Sequence, residues 1–84
     1  MNSKQKKVLA AVFADPVSAT LEWAAIENLI VSIGCEVIEG RGSRVRFALG
    51  PEAETFHRPH PAKEAKRYQV RAARGFLTRI GIVP

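Results

Sequence analysis

The chain has 84 residues, 46% hydrophobic and 25% charged, with a single cysteine and a formal net charge of +5. This is one modest domain, residues 1–84, with little spare stability. The composition excludes a disordered chain, and the lone Cys35 excludes an internal disulfide or a cysteine-based zinc cluster and fits a reducing cytoplasm. The basic start, residues 1–7, runs into an apolar stretch that Asp15 and Pro16 cut short, so it does not read as a signal peptide. The longest apolar stretch, residues 26–33, contains Glu27 and Asn28 and is too short to span a bilayer.

In chain order, residues 3–13 read as a helix, with Ser3 as cap and Val8, Leu9, Val12 and Phe13 as apolar stripe. Lys4, Lys6 and Lys7 sit at the positive end of its dipole, so this end frays or meets an anion. Residues 15–18 are a turn in which Pro16 stops the first helix and Ser18 or Thr20 caps the next. Trp23, Ile26, Leu29, Ile30 and Ile33 recur at helical spacing and predict a helix over 21–33, ended by Gly34. That spacing makes Trp23 a core anchor.

After Gly34 the period changes to two. Residues 35–39 read as a strand, 40–42 as a hairpin connection, and 43–49 as a second strand with Val45, Phe47 and Leu49 on one side and Arg44, Arg46 and Ala48 on the other. A turn at 50–52 leads to a third strand over 53–58, with Phe56 inward and His57 outward. Short connections require an antiparallel meander. Residues 59–61 (Pro-His-Pro) form a stiff extended exit. A last helix spans 64–80, burying Val70, Ala73, Leu77 and Ile80 with Phe76 alongside, and Gly81 ends it. Gly75, costing about 1 kcal/mol in mid-helix, suggests close packing at that point. The fold class is α+β: a three-stranded antiparallel sheet with helices on one face.

Charge is distributed unevenly. Residues 1–39 hold three Lys against five acids, and residues 40–84 hold ten Lys or Arg against three; eight of the thirteen cations are Arg. A polyanion partner for the second half is the reading this favours over a merely solvated surface. Arg44, Arg46 and Arg58 are candidates to contact phosphates. Lys63, Lys66, Arg67, Arg71 and Arg74 would extend the track.

No Gly-rich phosphate loop, carboxylate pair or Ser-His-Asp set is present. Glu36 and Glu39 point to opposite faces of a strand, and Cys35 at a strand start reads as core. His57 and His60 stand three apart, but no third ligand is near in sequence and the surroundings are cationic, which disfavours a metal. No cofactor is called for. The two histidines are instead candidate acid–base groups. RNA cleavage without metal needs a base for the 2′-hydroxyl, an acid for the leaving oxygen and cations for the transition state. The plainer alternatives are that they shape the turn, or that the basic face docks RNA or an acidic protein without catalysis.

Gly40-Arg41-Gly42-Ser43 with its following strand, His57-Arg58-Pro59-His60-Pro61 with Lys63-Glu64, the closing helix into Leu77-Thr78-Arg79-Ile80-Gly81-Ile82, and the earlier helix ended by Gly34 stand in a recognisable order. Over residues 20–82 the chain resembles the HicA family, toxins of bacterial toxin–antitoxin systems. The resemblance implies a fold like that of double-stranded-RNA-binding domains, a metal-independent mRNA interferase activity, and a HicB-type antitoxin that covers the active site. Residues 3–13 would be an addition to the compact family core. The family's usual catalytic histidine follows the Gly-Ser of the first hairpin; here that position is Arg44, whose guanidinium does not give up a proton.

Overall fold

The change of period at Gly34 is where helices give way to sheet in the computed structural model, which describes all residues, Met1–Pro84. The order is α1 (Ser3–Val12), α2 (Trp23–Ser32), β1 (Glu36–Glu39), β2 (Arg44–Leu49), β3 (Glu52–His57) and α3 (Arg67–Arg79). The strands form one antiparallel sheet in the order β1-β2-β3. With the helices on one face, this is the α+β layer that the sequence pattern predicts, and it is consistent with the double-stranded-RNA-binding-domain-like arrangement that the family resemblance implies.

The inner face is set by alternation. Val45 and Phe47 of β2 and Phe56 of β3 are buried beneath Trp23, Ile26, Leu29 and Ile30 of α2 and Val70, Ala73, Phe76 and Leu77 of α3. Trp23, Phe47 and Phe56 form an aromatic trio with ring centroids 5.2–6.4 Å apart, a geometry that adds to area burial. Trp23 is thus the core anchor its spacing predicts, and its Nε1–H donates to Glu27 Oε1 at 2.9 Å. Leu9 and Val12 bring α1 into the same core.

The element ends differ from the sequence reading for tertiary reasons. α1 is capped by Asn2, not Ser3: Asn2 Oδ1 accepts from the Gln5 N–H and Gln5 Oε1 from the Asn2 N–H. This reciprocal box holds the helix from Ser3 onward despite its lysines. Neither Ser18 nor Thr20 caps α2. Residues 21–22 instead pair with 63–65, with Trp23 N–H donating to the Lys63 carbonyl and Ala65 N–H to that of Leu21. The same bridge takes Glu64 out of α3, which starts at Arg67 rather than at 64. α3 ends in a Schellman motif, where Gly81 takes φ +81° and Ile82 N–H reaches the Leu77 carbonyl. Gly75 is not a point of close packing: a Cβ there would meet only Arg79 Nη1, at an ordinary 3.7 Å.

Candidate nucleic-acid interface

No helix covers the outer face of the sheet. Its residues follow from the register: Glu36 and Ile38 of β1, Arg44, Arg46 and Ala48 of β2, and Ala53, Thr55 and His57 of β3. Arg44 stands directly opposite His57, and Arg46 opposite Thr55. The Arg58 N–H donates to the Ser43 carbonyl, so the 43/58 pair is the hydrogen-bonded kind and the 44/57 pair is the closer, non-hydrogen-bonded kind. Side chains in such pairs start about 4.5–5.5 Å apart at Cβ. Arg46 Nη1 reaches Thr55 Oγ1 at 3.3 Å, while Arg44 and His57 are exposed and make no side-chain hydrogen bond within the chain.

The hairpin before β2 is shaped for this placement. Gly42 takes φ +60°, and a Cβ on Gly40 would come to 3.0 Å from the Arg44 Cβ. The Gly40 N–H donates to the Arg44 carbonyl at 2.8 Å. Glycine at 40 therefore lets the β1 end approach Arg44 closely.

Two expected phosphate contacts have other partners in the fold. Arg58, one residue past His57, points to the helix side of the sheet. Its Nε and Nη2 donate to Glu27 at 2.9 Å, and its Nη1 and Nη2 to Glu39 at 2.7 and 2.9 Å. The Arg58 fork holds both carboxyls below the usual carboxylate range, and the pairing raises the guanidinium's own pKa. Arg74 donates from Nε to the Val12 carbonyl and from Nη2 to that of Ala14, over the Phe13 ring. It supplies the cation that the C-terminal end of α1 lacks in its own last turn. The alternation that puts Arg44 and Arg46 outward could not reveal these inward, long-range partners.

The remaining expected cations, Lys63, Lys66, Arg67 and Arg71, are exposed and unpaired on the α3 side. His60 is exposed in the loop after β3. At the opposite end of the sheet, Arg79 binds Glu52 and Glu54 at 2.9 and 2.7 Å. Four of the eight acids are thus paired with Arg58 and Arg79 away from the open face, where Glu36 is the one acid beside Arg44 and Arg46. Burial raises the thiol pKa of Cys35, as a core role requires.

One positioning residue escaped the sequence reading. Gln69 is the one buried polar residue. Its Oε1 accepts from the Lys66 N–H at 2.9 Å and its Nε2 donates to the His57 carbonyl at 2.6 Å, tying the start of α3 to the end of β3. The signal was present: Gln69 is three residues after the N-cap, the place for a reciprocal cap, and falls on the buried stripe.

By fold and surface, then, the chain is a small two-layer α+β protein with one bare, cationic sheet face. It belongs to the HicA toxin family. The family's profile, described as HicA toxin of bacterial toxin-antitoxin, matches residues 23–82, so the chain carries the toxin domain of a toxin–antitoxin pair. A search of curated proteins and a search of solved structures each returned no match. No helix is long and apolar enough to cross a membrane.

Proposed function

We propose that this toxin domain acts on RNA through the open sheet face and cleaves it without a metal ion. The supporting observation is the close cross-strand pair of Arg44 and His57. The side chain at 44 occupies the position where the family resemblance puts a histidine, and the imidazole of 57 reaches the same patch from the neighbouring strand. Proton transfer passes to His57, with His60 in the adjacent loop as its partner, while Arg44 and Arg46 hold the phosphate. One histidine takes the proton of a 2′-hydroxyl, whose oxygen attacks the adjacent phosphorus. The other gives a proton to the departing 5′-oxygen, leaving a cyclic phosphate and a free hydroxyl.

Lys63, Lys66, Arg67 and Arg71 extend the phosphate track, and Arg58 and Arg74 brace it from behind. A HicB-type antitoxin would silence the toxin by covering this face. The test is induced expression in a bacterial host of the wild type, His57→Ala and His60→Ala, with folding checked by circular dichroism. Growth arrest should be lost in His57→Ala; arrest that survives both substitutions removes the acid–base assignment. Cleavage by the purified protein should persist in excess chelator.

The arginine at 44 itself favours one competing reading, a toxin-like module that binds RNA or an acidic protein and cuts nothing. A salt titration of RNA affinity separates its branches: a steep fall of log K with log salt supports phosphate contacts, and no RNA binding at low salt removes the RNA branch.

A further inference from the structure

Six aromatic side chains are present, and five are accounted for. Trp23, Phe47 and Phe56 form the core trio, Phe13 lies under Arg74, and Phe76 is buried beside Arg79. Tyr68 is the exception. It is 59% exposed in the first turn of α3, with no hydrogen bond, no aromatic neighbour and no stacked cation. Arg71, three residues on, is its neighbour on the helix surface, and Lys66 and Arg67 directly precede it in sequence, all exposed and none ion-paired. One turn on, Ala72 lies on the same side, and at Gly75, seven residues after Tyr68, a Cβ would meet only Arg79 Nη1, at 3.7 Å. The helix is thus flat next to the ring. Gln69, the next residue, holds the His57 carbonyl, so this turn of α3 adjoins the sheet end that bears Arg44 and His57. Glu64 is the nearest acid in sequence; its backbone bridges to Glu22 ahead of the helix, and its side chain is exposed.

We propose that Tyr68 is a base-stacking platform for an unpaired RNA strand that leaves the Arg44–His57 patch across α3. This rests on the RNA reading above and adds to it a substrate class and a residue. An aromatic face flanked by free cations is the arrangement with which proteins hold single strands: cations follow the phosphates and the ring takes a base. A paired base has no free face to offer, so the platform selects unpaired RNA over a duplex, although the fold type is one associated with duplex binding.

The experiment measures binding of a labelled single-stranded RNA, and of the same sequence as a duplex, to the His57→Ala protein, which prevents cleavage. Tyr68→Ala and Tyr68→Phe are compared in that background, with thermal melts to confirm folding. Tyr68→Ala should weaken single-strand binding by about tenfold or more and leave duplex binding within about twofold, with Tyr68→Phe close to the parent. Single-strand affinity unchanged in Tyr68→Ala, while the parent binds RNA with a steep salt dependence, overturns the platform and leaves the RNA reading standing. Equal losses for single strand and duplex also overturn it. If the parent binds no RNA at low salt, both readings fall together. A Tyr68→Ala protein that keeps its RNA affinity but loses an antitoxin makes the ring a protein contact and overturns the proposal.

Discussion

A Cβ added at Gly40 would press on the Cβ and carbonyl of Arg44 at 3.0 and 3.2 Å, whereas one added at Gly75 would touch only the tip of Arg79. The two glycines should therefore respond to alanine in opposite ways. Gly40→Ala forces the β1 end away from β2 and should cost about 1–3 kcal/mol, displacing Arg44 with it, so activity should drop further than stability alone explains. Gly75→Ala should gain about 0.5–1 kcal/mol, the usual entropic advantage in a helix interior. Thermal melts read both, and a rise of a few degrees is expected for Gly75→Ala. Glu27 is a third instructive residue. It accepts from Trp23 and from Arg58, joining the aromatic core to the strand end behind His57. Glu27→Gln should cost about 1–3 kcal/mol, since a charge-assisted pair is replaced and the half-buried guanidinium loses a partner. None of these roles is visible in local sequence, because each depends on an atom brought close by folding.

α1 lies outside the segment matched by the family profile, residues 23–82, yet it is joined to that segment by packing and by hydrogen bonds. Leu9 and Val12 are buried in the common core, and Arg74 closes the helix end from α3. We propose that residues 1–84 fold as one unit. Arg74→Ala should free the end of α1, seen as faster amide exchange across Ser3–Val12, and should lower stability by about 1–2 kcal/mol. The elements themselves were legible in the sequence: the stripe of Trp23, Ile26, Leu29 and Ile30 and the alternation of Val45 with Phe47 dictate helix and strand by period alone. Their ends were not. The bridge between Glu22 and Glu64 shortens two helices at once, and no local pattern reports a pairing of residues 42 apart in sequence. The outward placement of Arg44, Arg46 and His57 was likewise legible from alternation, whereas the inward commitments of Arg58 and Arg74 were not.

For the molecule as a whole, the charge layout couples stability to acidity. Glu27 and Glu39 titrate below their ordinary range in the fold, mainly because Arg58 donates to each. A carboxyl with a depressed folded pKa contributes stability that is fully present above the unfolded value, and this is lost as pH falls through the folded one. The protein should therefore hold its stability near neutrality and lose it below about pH 4.5. The stability curve of Arg58→Leu should fall less steeply in that acid range, as chemical denaturation across pH 3–7 would reveal. Salt should act differently on the two sides of the sheet. It screens the exposed Arg44 and Arg46 and so weakens phosphate binding, while the partly shielded Arg58 pairs persist. The link from Arg74 to α1 bears on the history of such a chain. An added helix becomes entrenched once a neighbour's guanidinium is answered by the carbonyls at its end, as those of Val12 and Ala14 answer Arg74. Deleting it afterwards would leave an open apolar seam beside an unmet charge, so later substitutions that lean on the helix make its loss progressively harder to tolerate.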